Sequence, residues 1–342
     1  MITQTNLALK KLKGIKPKGV KVKLVSSILD KLLYASDICV ENFKDHNPSG
    51  SHSPAKGAFD LMSRLVKYDL LKDVNFDEDN LRDFILSRTN FDGTDKESLM
   101  LGCYSSVLFN MLYDKNKKEN KPNCFYVNGG GNKFDYLFTA IPNSDVLIIE
   151  NFSGDRILGT TVHKISKANI IICRDIVGSH LCESLGGGKL NLQMLIGENF
   201  KGKYGFCGVC PSIKQPHMVI GKNFFGDVNF STLGFVGECG FLSIENVENI
   251  NYLGASTGFL MNKGLKRLLY RDVFEPEFLE QAKVKYKLSP DINEELYLKE
   301  RQKYRIDDIL NLTNQTRNKS QTEIIEITNQ MKNIYDQIKH LL

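Results

Sequence analysis

The chain of 342 residues has a formal net charge of +5, and 42% of its residues are hydrophobic and 25% charged. These values are ordinary for a folded soluble protein, and so mild a positive charge does not by itself indicate a nucleic-acid partner. No apolar run reaches about 18 residues and no apolar signal core opens the chain, so we expect neither a membrane span nor export. The eight cysteines lack the spacing of a small disulfide scaffold, which favours a reducing cytoplasm.

A basic arm opens the chain, with seven lysines and no acidic residue in the first 23 positions, from Lys10 to Lys23. Such an arm can attract nucleic acid or an anionic lipid surface. It contains no arginine or aromatic residue for bidentate recognition or stacking. We therefore favour a solvated terminal arm and keep an anionic partner as the alternative.

The next region has the three- and four-residue apolar spacing of helices. One predicted core stripe consists of Leu61, Leu65 and Tyr68. A charged linker from Asp114 to Asn123 ends the region. We predict a basic arm plus helical domain over residues 1–122.

The middle of the chain repeats every 24 residues, most visibly at Gly154, Gly178, Gly202 and Gly226. A constant period of this length is typical of a solenoid, whose repeats bury their apolar faces against their neighbours. Each repeat opens with three or four aliphatic residues, a run too short for a helix and rich in β-branched side chains. The pattern predicts a parallel β-solenoid of about five to six 24-residue coils over residues 123–269.

Two adjacent columns of the repeat carry polar residues at a predicted corner. One holds side chains that tolerate a left-handed backbone and can hydrogen-bond from coil to coil as an asparagine ladder: Asn151, Asp175, Asn199, Asn223 and Asn246. The column before it alternates in charge, so that opposite charges face each other between coils: Glu150, Arg174, Glu198, Lys222 and Glu245.

With these columns, the sequence resembles the right-handed parallel β-helix proteins, whose coils are of this size and often carry a stacked Asn at one turn. The resemblance covers roughly residues 123–269 and implies architecture only. Pectate-lyase-like members use clustered acidic, Lys or Arg residues on an exposed sheet, and the sequence offers no equivalent cluster to which that role can be assigned.

The remaining residues, 270–342, form a predicted helical tail with a short heptad seam at Ile324, Ile327, Met331, Ile334, Ile338 and Leu341. The strand positions of the repeat are apolar on both faces, and such strands belong to a sheet that is buried on both sides. We expect the tail to run back along the sheet and the N-terminal helices to cap the end of the coil, since so large an apolar stripe does not stay in water.

The best metal-site candidate is the C-x-x-C pair Cys207 and Cys210, with Cys182 and Cys239 on neighbouring coils. The sequence supplies no second C-x-x-C or histidine pair to complete a zinc site. Buried structural thiols are therefore the favoured interpretation, with no cofactor, and a metal ion or iron–sulfur cluster is the alternative.

A second candidate site is a polar stripe just after the glycine column, formed by Asp155, Arg156, His180, Tyr204 and Asp227. Stacked coils would bring acid, imidazole and phenol groups close together. A solvated face is the favoured interpretation. The chain has no tryptophan, which would be the strongest platform for stacking a sugar.

No motif in the chain identifies a reaction, so function is predicted from architecture. Solenoids present long ordered surfaces and commonly bind other proteins. We predict an intracellular scaffold or protein-interaction protein, with a protein partner or self-association. The alternatives are an enzyme acting on a carbohydrate or similar polymer through the polar stripe, and a scaffold for metal or iron–sulfur assembly through the cysteines.

Overall fold

The structure is a computed structural model that describes residues 27–45, 54–139, 143–159, 167–183, 191–207, 218–227, 229–230, 239–248, 265–273, 284 and 286–342. The helices are α1 (Ile28–Phe43), α2 (Pro54–Leu65, continued by a π-helical turn, Val66–Leu70), α3 (Glu78–Ser87), α4 (Asp95–Lys118), α5 (Pro290–Lys303), α6 (Ile306–Gln315) and α7 (Gln321–Ile338). The strands are β1 (Cys124–Asn128), β2 (Ser144–Ser153), β3 (Lys167–Ser179), β4 (Asn191–Lys203), β5 (Met218–Phe225), β6 (Cys239–Val247), β7 (Leu265–Val273) and β8 (Tyr286–Leu288).

Capping side chains fix where several helices begin. The N-cap side chain accepts a hydrogen bond from the third helical amide, and the third side chain accepts one from the N-cap amide. Four helices begin in this way, with the pairs Ser27 and Asp30, Asp77 and Asn80, Thr94 and Glu97, and Ser320 and Glu323. The helical segments on both sides of the repeat are therefore specified locally.

The eight strands form one sheet in chain order, β1 to β8, and each pairs in parallel with the next. From β2 to β5 the paired residues are 24 positions apart, as at Ile148, Ile172 and Ile196. When consecutive strands are parallel neighbours in a sheet, the chain must complete one turn of the coil between them. The predicted parallel β-solenoid is therefore confirmed.

The predicted number of coils, five to six, was too high, because the solenoid makes about four turns. The 24-residue period holds only between β2 and β5. Cys124 pairs with Val146 and Cys239 with Leu265, which are steps of 22 and 26 residues. The flanking strands extend the sheet as far as Leu288.

The Asn column forms a corner at which each strand turns. Its five members have left-handed φ angles between 52° and 58°. The Asn199 amide donates to Asp175 Oδ1 at 2.6 Å, the Asn223 amide to Asn199 at 2.7 Å, and the Asn246 amide to Asn223 at 2.9 Å. Side-chain hydrogen bonds thus connect four successive coils along this corner.

Three residues beyond the corner, the glycine column brings neighbouring backbones into contact. Its φ angles lie between 121° and 157°, where a side chain is strained. A Cβ atom on Gly202 would overlap the carbonyl oxygen of Gly178, and one on Gly178 would overlap that of Gly154. Glycine is therefore required by contact as well as by conformation.

The inward side chains of the sheet share one core with the N-terminal helices, so these helices cap the first coil, as expected. Phe109 of α4 packs edge-on against Phe125 of β1, with ring centroids 5.3 Å apart. The predicted stripe on α2 was wrong at two positions, because Leu61 is 48% and Tyr68 62% exposed. A second stripe with the same spacing is buried instead, at Phe59, Met62 and Val66.

The outward side chains of the sheet pack against the C-terminal helices. This second core contains Ile148, Ile172, Ile196 and Ile220 from the strands, with Tyr304, Ile309, Ile324, Met331 and Ile338 from α5 to α7. The tail therefore covers the sheet, as expected, and its seam is a docked helix face. No helix within the described ranges is long and apolar enough to cross a membrane.

Buried ion pairs connect the tail to the alternating charge column. Arg174 is fully buried, 2.8 Å from Glu150, and its guanidinium also donates to the Thr313 carbonyl at 2.6 Å and to Thr316 Oγ1 at 2.9 Å. Arg317 donates to Glu150 Oε1 at 2.7 Å. At the other end, Lys222 and Arg301 lie 3.4 Å and 3.0 Å from Glu245.

Glu198 is the least compensated member of the column. It is 5% exposed, and its Oε2 atom has no hydrogen-bond partner within the described structure. Burial raises the pKa of its carboxyl above the ordinary value, and the positive charges of Arg317 and Arg174 only partly oppose this shift. Ionisation of Glu198 therefore costs more in the folded chain than in the unfolded chain.

We expect Gly202→Ala to lower the free energy of unfolding by about 2–4 kcal/mol, because the new methyl group overlaps a neighbouring backbone and the φ angle is strained. Gly57→Ala is the matched control, since a Cβ at that helical position meets nothing within 4 Å. The control should be neutral or stabilise by up to about 1 kcal/mol. Equal effects in urea unfolding would contradict the proposed backbone stack.

We expect Glu198→Gln to be more stable than the parent chain at pH 7.5, with the difference shrinking toward pH 4. A folded pKa raised above the unfolded value gives stability that is complete below the unfolded pKa and is lost as pH rises through the folded pKa. Chemical unfolding at both pH values measures the difference. Glu326→Gln, an exposed position on α7, is the control. A parent chain that is the more stable one at pH 7.5 would show that Glu198 is well paired.

Candidate functional site

Beyond the Asn corner, each coil continues into a short limb whose outward side chains align in rows. The first row is Ser153, Val177, Lys201 and Phe225, and the next is Asp155, Ser179, Lys203 and Asp227. A third row holds Arg156, His180 and Tyr204. We call these three rows the second face. They include every residue of the predicted polar stripe.

The third row is a column of planar side chains that contact one another in two pairs. The His180 and Tyr204 rings stack with centroids 4.6 Å apart and planes 18° apart. On the preceding coils, the Arg156 guanidinium lies 5.5 Å from the centre of the Tyr136 ring and donates to Tyr136 Oη at 2.9 Å. His180 and Tyr204 of the predicted stripe are thus in direct contact, and Arg156 precedes them in the same row.

Tyr136 was missed in the sequence because it lies 20, rather than 24, residues before Arg156. Its left-handed φ of 62°, shared with the other members of the column, places it in line with them. Burial, together with the hydrogen bond from its hydroxyl to Asp95 Oδ1, raises the pKa of Tyr136 to about 12, against the lowering effect of Arg156. The phenol is therefore neutral at pH 7 and connects the column to α4.

The two carboxylates of the predicted stripe are not brought together. Asp155 and Asp227 occupy the same row three coils apart, roughly 14 Å at the usual strand spacing. Paired carboxylates that cleave a glycosidic bond lie about 5–10 Å apart. Asp155 Oδ1 accepts the Ser179 amide at 2.7 Å, and Asp227 lies 3.3 Å from Lys203. Their positions fit coil-to-coil pairing better than shared acid–base chemistry.

The acid closest to the imidazole is Glu183, which the sequence did not single out. Its Oε2 atom lies 3.0 Å from His180 Nδ1, three residues away in the turn after the limb. The local chemistry is therefore a carboxylate, an imidazole and a stacked phenol at the surface. A polymer-active enzyme remains a prediction that this arrangement does not test.

The predicted cysteine cluster is spread through the solenoid interior. Cys182 Sγ lies 3.7 Å from Cys173 Sγ, a neighbour that the sequence did not suggest. Backbone hydrogen bonds align Cys182 with Leu158 and Phe206 on the adjacent coils rather than with Cys207. Burial raises the pKa of the Cys182 thiol well above its ordinary value, which disfavours the thiolate form that binds metal.

The other proposed ligands are also separated or undescribed. Cys207 Sγ and Cys239 Sγ lie 3.8 Å and 3.5 Å from the carbonyl oxygens of Gly205 and Phe241. Across the described part of the chain, no group of three or more His, Cys, Asp or Glu residues is arranged to hold a metal ion. Cys210 and the arm from Lys10 to Lys23 lie outside the described residues.

No protein-family model, curated protein or solved structure matches this chain. The molecule is therefore classified by its own geometry, as a parallel β-solenoid with helices on its first coil and on its main sheet. Because one fold supports many activities, any function must be argued from the surfaces of this chain.

We expect Cys207→Ala/Cys210→Ala to stay folded with unchanged metal content, as measured by circular dichroism and elemental analysis. In the native parent chain, Cys182 should resist alkylation at pH 8. Burial keeps the reagent away from the thiol and disfavours the reactive thiolate form. It should react fully in denaturant. Loss of a stoichiometric zinc or iron signal in the double variant would overturn the structural interpretation of these thiols.

Proposed function

We propose that this chain is a cytoplasmic β-solenoid scaffold that binds a protein partner through the second face. The observation that carries the proposal is the exposure of an ordered apolar and aromatic surface on that face. Val177 is 52% exposed and Tyr204 37% exposed, at fixed positions on adjacent coils. Aromatic residues at such positions are typical of the residues that dominate binding energy in protein interfaces.

The chain's own helices cover two other surfaces of the described part of the solenoid. The outward face of the main sheet packs against α5 to α7, and the first coil packs against the N-terminal helices. The second face, by contrast, leaves Val177, Lys201 and Lys203 exposed. Among the described surfaces of the solenoid, this face is therefore available to a partner.

The chemistry of the second face suits a protein surface with an apolar contact and an acidic group. Val177 and Tyr204 offer apolar area, and Lys201 lies beside them in the first row. Backbone pairing holds Val177 in place and stacking holds Tyr204 in place before binding. These two residues therefore lose little side-chain freedom when a partner docks. Such preorganisation allows a partner to bind without a rearrangement of this surface.

The size of the face indicates a weak complex. Three coil steps and a limb of about five residues give an area of roughly 240 Å². Stable interfaces bury about 800 Å² on each partner, and smaller ones are usually transient. We expect a dissociation constant on the order of 1 μM or weaker for the second face alone.

The proposed compartment has separate support from the thiols. Five cysteines in the described structure are buried thiols outside any disulfide, as is usual where the surroundings keep thiols reduced: Cys39, Cys103, Cys124, Cys173 and Cys182. Polymer cleavage, metal assembly and an anionic partner for the basic arm stay predictions without a specific supporting contact.

Photo-crosslinking tests the proposal because it captures transient complexes. A benzophenone amino acid at position 177 should give one discrete adduct in native cell extract. The same probe at position 61, which is exposed on α2, is the matched control and should not give that adduct. Adding Lys201→Glu should reduce the adduct several-fold while the thermal unfolding midpoint stays the same.

The mass of the adduct identifies the occupant. A second copy of the chain would make the partner a self-association, and a different polypeptide would make it a separate protein. Identical adducts from positions 177 and 61, or an adduct insensitive to Lys201→Glu, would contradict a role for the second face.

A further inference from the structure

A cavity of about 360 Å³ lies in the helical domain, away from the second face. It is lined by the π-helical turn after α2, by the segment that follows this turn, and by the last turns of α4. Its volume is within the range of small-molecule sites, about 300–1,000 Å³. The proposed protein-binding function does not involve it.

Part of the cavity wall is apolar. Leu71, Phe76 and Leu112 line it and are buried, and Met111 and Val74 line it while partly exposed. Tyr68 also lines the cavity, although its side chain is 62% exposed. A ligand with an apolar body would cover this surface and remove it from water.

The polar lining carries an excess of positive charge. Four lysines line the cavity, at positions 67, 72, 115 and 118, together with two acids, Asp114 and Glu119. Each acid already has a lysine partner, Lys67 at 3.2 Å for Asp114 and Lys121 at 2.7 Å for Glu119.

Three of the four lining lysines are left without an ion-pair partner in the described structure. Within the described residues, Lys72, Lys115 and Lys118 form no ion pair. Lys115 Nζ donates one hydrogen bond to the Phe76 carbonyl at 2.8 Å, which leaves donors on the same ammonium group for a ligand. The lining therefore includes three ammonium groups outside any described ion pair.

The C-terminal end of α4 does not account for this charge by itself. Lysines in a last helical turn offset the helix dipole, and Lys117 and Lys118 serve that purpose. Lys67 and Lys72 come from a different element and still line the same space. The element that supplies Lys67 is a π-helical turn, a rare conformation that is frequent at functional sites.

We propose that this cavity binds a small organic phosphate, a dianion with an apolar body. Ammonium groups bind phosphate as point charges, and three of them suit a doubly charged group. The apolar wall contacts the organic part of the ligand, whereas inorganic phosphate can contact only the polar lining. The site is distinct from the proposed partner surface, and either can fail without the other.

Phenyl phosphate is the test ligand, titrated calorimetrically into the full-length protein at low salt. We expect saturable binding of one molecule per chain, at least tenfold tighter than inorganic phosphate. Lys72→Gln/Lys118→Gln should weaken binding at least tenfold. Lys117→Gln, in the same helical turn but outside the cavity lining, should change it less than twofold.

The substituted lysines, Lys72, Lys117 and Lys118, are exposed. The variants should therefore keep the parent's thermal unfolding midpoint, which is measured for each of them. The proposal is overturned if phenyl phosphate shows no saturable binding, or if Lys117→Gln weakens it as much as the double variant does. Equal affinities for phenyl phosphate and inorganic phosphate would also overturn it, because the apolar wall would then contribute nothing.

Discussion

Burial of the main sheet on both faces is the constraint on which the structure depends. Consecutive aliphatic residues in each strand place apolar side chains inward, as at Ile171, and outward, as at Ile172. The coil interior covers one face, and α5 to α7 cover the other. Because strands of this kind cannot leave either face in water, the tail is part of the solenoid fold.

The charge column sets the register between the sheet and the tail. A fully buried guanidinium is costly unless it is paired and hydrogen-bonded, and Arg174 has Glu150 on one side and the end of α6 on the other. Arg301 makes a similar contact between α5 and Glu245. These ion pairs favour one alignment of the tail on a sheet face that is otherwise uniformly apolar.

The structure was most predictable at positions where only a few residue types tolerate the backbone conformation. The Asn corner and the stacked glycines were predictable because few other residues tolerate those backbone angles, and the need for a cover followed from the strand composition. The buried stripe of α2 was not, because Phe59, Met62 and Val66 have the same helical spacing as the predicted stripe. The coil number was overestimated because the 24-residue spacing was extended over all of residues 123–269, whereas the flanking strands are 22 and 26 residues apart.

The site was less predictable than the fold, since it depends on contacts between residues far apart in sequence. The alignment of Arg156, His180 and Tyr204 followed from the period, whereas Tyr136 breaks the period. Its hydrogen bond to Asp95 could not be predicted, because no local pattern gives the position of α4 relative to the solenoid. Likewise, the partnership of Arg317 with Glu150 spans 167 residues. The two predicted carboxylates of the second face, Asp155 and Asp227, lie three coils apart because they occupy the same row of the repeat.

Hydrogen–deuterium exchange of the intact protein tests most directly whether the tail belongs to the solenoid. Helices that cover an obligatory apolar face should open only when the sheet opens. We expect the slowest amides of α6 and α7 and those of β3 and β4 to share one opening free energy, with protection within about tenfold. Fast exchange throughout α6 and α7, with β3 and β4 still protected, would show that the sheet does not need its cover and would contradict this account.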